Sequence, residues 1–293
     1  MRPYRRRRSL LGLSSVCAVA ALLLSAAGFA AAMPSVQAAG SSFQIGLVGD
    51  TGYSAGQDAD LFAVRRSMAG YPLAFEAHDG DIQKQGSPCT DSRLQYVRDV
   101  FNGFAAPFVY TPGDNEWANC PGPSSRLSAI RRTFFASSQT LGKNRMTVSR
   151  QSGTPENARW SRYGVFFATL NVPGPRGSGG PISADVAWLN ATFDAARAAG
   201  AAGVMIIQQD DPFAGGTPAT LQSALKKRTI EFGRPVVLVN GDTHIHRVDK
   251  PWSDVPNFTR VETFAESGSR KWVKATVNPS SAAVFSFTSV TAH

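Results

Sequence analysis

Short apolar runs alternate with amphipathic stretches along most of this chain, and the apolar runs stop at glycine and aspartate. Residues 43–48 read as a buried strand that ends at Gly49-Asp50-Thr51-Gly52. Leu61, Val64 and Met68 then recur at helical spacing over about 58–69. A second strand at 72–77 stops at His78-Asp79-Gly80-Asp81. A helix over about 91–104 presents Leu94, Val97 and Phe101, and a third strand at 107–110 leads to Pro112-Gly113-Asp114-Asn115-Glu116. Residues 140–180 read as Gly-, Ser-, Pro- and Arg-rich loops around one strand, 164–170. Ser183 is the expected N-cap of a helix carrying Val186, Leu189 and Phe193, with Gly200 as its stop. A strand at 204–207 ends at Gln208-Gln209-Asp210-Asp211-Pro212. A helix follows over about 220–232, then a strand at 235–240 that ends at Gly241-Asp242-Thr243-His244. The alternating tail beyond Asn257 is expected to close a sheet with antiparallel strands.

This β-turn-α alternation predicts an α/β protein with parallel strands covered by helices. In open sheets of that kind ligands bind beyond the carboxyl ends of the strands. Asp50, Asp81, Asp114, Asp210 and Asp242 all fall there, with His244 beside the last. A single Asp after Gly is most often a turn-former or a helix cap. Five on successive strand ends point instead to ligands, because so many like charges need cations to neutralise them. Two such ions could clamp a phosphoryl group and lower the pKa of a bound water. His78 and His246 are expected to be hydrogen-bonded surface histidines, either within reach of substrate. Asp79 and Asp211 are expected to support or cap.

Composition narrows the setting. Arg5 to Arg8 precede an apolar run from about Leu10 to Ala32, and Val36-Gln37-Ala38 offers small residues for cleavage. Residues 1–38 therefore read as a signal peptide, and Arg7-Arg8-Ser9-Leu10-Leu11 also fits a loose twin-arginine signal. The expected destination is secreted or periplasmic, with no stable membrane insertion after cleavage. The full chain carries +9, but the processed one keeps 25 basic against 21 acidic residues, a net charge of +4. That density does not suggest nucleic-acid binding. Residues 39–293 can form one large domain. Cys89 and Cys120 are the cysteines left, and two lone cysteines in an oxidising compartment are expected to pair.

The ordered set Gly49-Asp50-Thr51-Gly52, Gly80-Asp81, Gly113-Asp114-Asn115-Glu116, Asp210-Asp211-Pro212 and Gly241-Asp242-Thr243-His244 resembles the five motifs of calcineurin-like metallophosphoesterases. Its opening is most similar to the purple acid phosphatase branch. The resemblance spans about 43–250 and implies a four-layer α/β/β/α sandwich of two mixed sheets. It implies an exported metal-dependent phosphoesterase acting on a small phosphomonoester or phosphodiester through metal-activated water. By position, Asp50 and His244 would hold one metal ion, Asp81 would bridge, and Asp114 and Asp242 would hold the second, with Asp210 also possible. The departures are equally specific. The third motif has Asp114 and Asn115 where Asn and His are usual, the fourth offers Asp210 or Gln209 for a histidine, and the fifth has Asp242 for its first histidine. Lys84 stands where an Asp or Tyr ligand often follows. Carboxylate for imidazole favours hard cations, such as Mn, Mg, Ca or Fe, over Zn. The usual leaving-group acid is missing, leaving Asn115, His246 and Lys84 as the candidates to contact or protonate substrate. A non-catalytic metal- or phosphate-ester-binding member of the same fold is the rival reading. Oligomeric state is left open.

Overall fold

The computed structural model describes residues 41–172, 174, 180–265 and 270–293. The chain divides into two compact units, Met1–Pro34 and Ser35–His293. The first lies outside the described residues, as does the signal sequence read above.

The second unit builds two mixed sheets. Strands β1 (Phe43–Val48), β2 (Leu73–His78) and β3 (Phe108–Tyr110) run parallel. Antiparallel β11 (Lys271–Val277) and β12 (Phe285–Thr291) extend the sheet on the β1 side, giving the order β12-β11-β1-β2-β3. The other sheet is built on parallel β6 (Val165–Thr169), β7 (Gly203–Ile207), β8 (Val236–Asn240) and β10 (Phe258–Glu262). Antiparallel β4 (Ser149–Gln151) and β5 (Thr154–Arg162) join one edge and β9 (Arg247–Asp249) the other.

Three apolar clusters set the layers. Ile45, Leu47, Phe75 and Ala77 of the first sheet meet Phe167, Met205, Val237 and Val261 of the second. Helices α1 (Ala55–Met68), α2 (Asp91–Asn102) and α3 (Pro123–Phe134) cover the outer face of the first sheet through Val64, Leu94, Phe101 and Ile130. Helices α4 (Ile182–Ala198) and α5 (Ala219–Phe232) cover the second through Leu189, Phe193, Leu221 and Leu225. The inner strands of each sheet are therefore buried on both faces and are mostly apolar, Gln44, Glu76 and His78 being the polar exceptions in β1 and β2. The four-layer α/β/β/α sandwich is the architecture observed.

Three expectations need correction. Residues 140–180 hold β4 and β5 besides the expected strand, and α3 was not foreseen. The N-cap of α4 is Pro181, not Ser183, which sits inside the helix. The tail is antiparallel only in part. Strand β10 lies parallel to β8 because the chain crosses over between them, with Trp252 packed 4.4 Å from Phe258 and 5.1 Å from Phe213 in the place a helix would take.

Strand alternation points Phe75 and Ala77 between the sheets and turns Glu76 and His78 toward the helices. His78 is fully buried, not on the surface, with its ring centroid 5.2 Å from Phe101. Its Nδ1 accepts from the Gly80 N–H at 3.2 Å, so the Nε2 proton is the one directed at Thr51 Oγ1, 3.3 Å away. Burial holds this imidazole down to about 3, as a neutral ring. Glu76 is buried with only the Ala106 N–H offsetting its desolvation, and burial pushes its carboxyl up to about 8. The native state therefore keeps a proton that the unfolded chain releases above about 4.5. This contribution to stability is present below that pH and is lost as pH rises toward 8. Glu76→Gln should accordingly raise stability at pH 8 by on the order of 2–4 kcal/mol and change it little at pH 4. Urea denaturation at the two pH values checks this, and an equal effect at both would contradict it.

Candidate functional site

The carboxyl ends of β1, β2 and β3 in one sheet, and of β7 and β8 in the other, open onto the same cleft of about 540 Å³. Asp81, Asp114, Asp210, Asp242 and His244 line it, together with Tyr53, Lys84, Gln85, Asn115 and the loop Ala214-Gly215-Gly216. Asp50 lies just behind, buried, and reaches the cleft through Tyr53 and His244. The six candidate ligands thus share one region, as do Lys84 and Asn115. His246 stands apart: its ring stacks on Phe264 at 3.8 Å, its Nδ1–H donates to the Glu262 carbonyl at 2.7 Å, and its Nε2 lies 3.4 Å from Ser289 Oγ.

Three of the four glycines of the repeated Gly-Asp steps, Gly49, Gly113 and Gly241, make room for a carboxylate from a neighbouring motif. A Cβ on Gly49 would lie 1.3 Å from Asp79 Oδ1. One on Gly113 would meet Asp81 Oδ1 at 2.0 Å, and one on Gly241 would meet Asp50 Oδ2 at 1.9 Å. Gly216 gives way in the same manner to Asp210 Oδ1. Asp50, Asp81, Asp242 and His244 adopt left-handed backbone, with φ of 48°, 58°, 77° and 63°. Asp and His tolerate that region better than most side chains, yet four such residues around one cleft mark a backbone bent to aim them.

Hydrogen bonds fix the carboxylates. Asp81 accepts from Asn115 twice, from its backbone N–H at 3.2 Å and from Nδ2 at 2.6 Å. Asn115 therefore holds Asp81 in position. The Asp242 N–H reaches both oxygens of Asp50 at 3.2–3.3 Å. Gln209, the alternative in the fourth motif, donates to Asp242 Oδ1 at 3.3 Å. Asp210 accepts from Thr217 through Oδ2, while its Oδ1 is buried with no hydrogen-bond partner. Asp211 points elsewhere, into an ion pair with Arg260 at 2.9 Å, and Asp79 accepts from Thr263 Oγ1 at 2.9 Å. Both are supporting groups, as expected.

Crowding shows in the proton affinities. Burial, then the charges of Glu116, Asp50 and Asp114, hold Asp81 well above the usual carboxylate range. Burial also pushes Asp210 up to about 7, with Asp242, Asp211 and Asp114 adding to it against the Thr217 hydrogen bond. Asp242 rises for the same reasons, burial first and then Asp50 and Asp114, with Gln209 opposing. Tyr53 is raised by burial and then by the charge of Asp50.

Two supports escaped sequence reasoning. Arg93 of α2 donates to the Gly52 carbonyl after β1 and, at 3.0 Å, to the Ile82 carbonyl after β2, tying both loops from behind. Cys89 and Cys120 form the expected disulfide, with Cα atoms 5.9 Å apart. Between them Gln83 donates to the Asn115 carbonyl at 3.0 Å, so the bridge ties the Asp81 loop to the Asp114-Asn115 loop.

The donors suit hard cations in kind, since carboxylate oxygens predominate and Asp210 carries an unpartnered buried oxygen. They do not by themselves complete a coordination sphere. Among the described residues no three His, Cys, Asp or Glu side chains converge as a metal-holding group.

No protein-family model matches the chain, and no curated protein does. Solved structures share similarity of shape. Vacuolar protein sorting 29 from Cryptosporidium parvum is 9% identical with a TM-score of 0.37, covering 86% of this chain and 98% of its own. The calcineurin-like phosphoesterase YfkN from Bacillus subtilis is 12% identical with a TM-score of 0.46, covering 86% and 91%. The sulfate thiohydrolase SoxB from Thermus thermophilus is 17% identical with a TM-score of 0.48, covering 80% and 42%. With none of these TM-scores reaching 0.5, what the chain does has to be argued from its own cleft.

Two predictions follow from the packing of the loops. Gly113→Ala should drive Asp81 out of place and lower stability by about 1–3 kcal/mol, the usual cost of overpacking. An unchanged thermal midpoint would mean that Asp81 has room to turn away. Replacing both cysteines by serine should cost about 2–4 kcal/mol. The loss should be read as a shift in denaturant midpoint, and none is expected when reductant is added to the variant.

Proposed function

We propose that this chain is an exported metal-dependent phosphoesterase that hydrolyses a small phosphomonoester or phosphodiester. The observation that carries the reading is the meeting of Asp50, Asp81, Asp114, Asp210, Asp242 and His244 at the ends of five strands drawn from both sheets. Asp81 would lie between two cations, Asp50 and His244 would serve one, and Asp114 and Asp242, with Asp210, the other. Bound cations would supply a water of lowered pKa and neutralise charge on the phosphoryl group.

The chain's own residues do the rest. Asn115 keeps Asp81 turned into the cleft through two hydrogen bonds. Lys84, exposed at the rim, is the one lysine or arginine among the described residues lining the cleft, and it would meet a phosphoryl oxygen. The Gly215-Gly216 loop lets Asp210 face the cleft without a side chain above it. His246 is engaged away from the cleft, which leaves Lys84 as the candidate to meet the leaving oxygen. The arginine-rich and then apolar first segment and the Cys89–Cys120 bridge support export. No helix among the described residues is long and apolar enough to cross a membrane.

A second reading has its own observation. No imidazole accompanies Asp114 and Asn115, and both ends of the Asn115 amide are engaged, with Asp81 and Asn119. A scaffold that binds a metal or a phosphate ester without turnover would look the same.

Turnover of an aryl phosphate separates the two. Chelator-stripped protein at fixed pH should recover more activity, or more thermal stability, with manganese, magnesium or calcium than with zinc at equal free concentration. Asp81→Asn should lower turnover by more than about 100-fold, beyond the usual effect of altering a ligand's supporting partner. Metal-dependent stabilisation without turnover would favour the binding reading. Normal turnover in Asp81→Asn would remove the bridging role.

A further inference from the structure

Asn119 lies outside the five motifs, yet its side chain touches two of the residues that line the cleft. The segment after Asp114 folds back on its own first carbonyl, which accepts from the N–H groups of Trp117 at 3.3 Å and of Asn119 at 2.9 Å. Trp117 and Ala118 pack into the core beneath the helices, and Cys120 is held by its bridge to Cys89. The turn thereby carries the Asn119 side chain back beside that of Asp114. Its Nδ2 donates to Asp114 Oδ2 and, at 3.4 Å, to Asn115 Oδ1.

Those two acceptors decide which way the amide faces. Turned over, it would present Oδ1 to a carboxylate oxygen and to a carbonyl oxygen, neither of which can donate. As it stands, Asn119 Oδ1 is buried with no hydrogen-bond partner among the described residues, a cost the fold carries to keep the nitrogen on this side. The choice is passed on. With its Oδ1 occupied by Asn119, Asn115 turns Nδ2 toward Asp81, whose Oδ2 accepts it at 2.6 Å. Asp114 and Asp81, from the loops after β3 and β2, are thus joined through two amides in series.

We propose that Asn119 is a positioning residue for the cleft, its one amide orienting Asp114 directly and Asp81 through Asn115. The use of that orientation in holding a cation rests on the metal-binding part of the function proposed above. Without the Asn119 nitrogen, Asp114 loses a donor and the Asn115 amide loses what distinguishes its two ends. The two carboxylates are then free to turn independently. Removing an outer partner of this kind usually lowers cation affinity about 10–100-fold.

The test compares mature protein with Asn119→Leu, which is similar in size and removes both side-chain hydrogen bonds. In isotope-labelled, chelator-stripped protein the Asn115 side-chain amide, identified by its loss in Asn115→Ala, should give two separate proton signals that exchange slowly with solvent. In Asn119→Leu these signals should shift and exchange faster, while backbone signals away from this turn stay in place. Calorimetric titration with manganese should show binding at least about tenfold weaker in Asn119→Leu. The same substitution should cost much less in an Asn115→Ala background, because residues acting in series are not additive. Unchanged Asn115 signals, or an equal loss of affinity in both backgrounds, would overturn the assignment. If the unmodified protein binds no manganese, the metal-binding part of the proposed function fails, and the Asn115 signals still decide the role of Asn119. Should Asn119→Leu not fold, Asn119→Ser takes its place, since one hydroxyl donor cannot serve both acceptors, and the same shift is expected.

Discussion

The structure depends on carboxylates occupying space that glycines leave open. Asp79 lies over Gly49, Asp81 over Gly113, Asp50 over Gly241 and Asp210 against Gly216, each within a distance no Cβ could share. The motifs are therefore interlocked, because the residue that makes one loop possible is the acid of another. Gly49 and Asp79 come from neighbouring strand ends of one sheet, whereas Asp50 and Gly241 come from different sheets. This second contact couples the two halves of the sandwich at the cleft, and the Asp242 N–H reinforces it by reaching Asp50. Such close packing of acids is unfavourable, and the proton affinities of Asp81 and Asp210 are raised by burial first and by neighbouring charge after it. A fold that concentrates this repulsion at one place needs compensation there, from protons, from donors such as Asn115 and Thr217, or from cations.

Surrounding supports explain how the loops keep their shape. Arg93 sits behind the first two motifs with a carbonyl from each on its guanidinium, and its charge lies on the side away from the cleft, near Asp58. The disulfide and Gln83 join the second motif to the third. Arg247 pairs with buried Glu262 at 2.9 Å and donates to Thr243 Oγ1, which fixes the segment between Asp242 and His244. Each of these braces acts on backbone or on a neighbouring residue and not on the cleft-facing carboxylates themselves.

How far these features were legible in the sequence follows from what each one is made of. The inner strands are buried on both faces, so β7 and β8 stand out as apolar runs and β1 and β2 as apolar runs broken only by Gln44 and by Glu76 and His78, and Gly-Asp steps follow β1, β2 and β8. Strand β5 gave no such signal, because its buried positions include Glu156 and Asn157. Glu156 pairs with Arg131 at 2.8 Å and accepts from Asn171 at 2.9 Å, and Asn157 donates to Asp185 at 2.8 Å. A polar network satisfied from three other elements reads in sequence as a loop. Helix α3 carried Leu127, Ile130 and Phe134 at helical spacing and Pro123 in its first turn, but it opens with Gly, Pro and Ser and buries Arg126. There the period was present and the composition masked it. The crossover before β10 had no period to find, since Trp252 and Val255 fill a helix's place without forming one.

The cleft shows the same division at the scale of single side chains. Motif positions identified the acids, because four of them lie one residue beyond a glycine near a strand end and Asp210 follows the end of β7 by way of Gln208 and Gln209. They could not say which way His78 and His246 turn. His78 follows the strand's alternation and goes into the helix layer, where desolvation outweighs any use of its charge. His246 lies only two residues beyond His244, yet Phe264 and the Glu262 carbonyl draw it aside. Tyr53 is the converse case. Nothing in the spacing Gly-Asp-Thr-Gly-Tyr marks the last residue as part of the site. It comes there because Gly52, at φ +73°, turns the chain back so that the ring packs beneath Asp50. An amino acid three places along the chain thus stands as near to Asp50 as His244, which arrives from the other sheet 194 positions away. Distance along the chain and distance within the cleft are independent here, because the folded backbone sets the second.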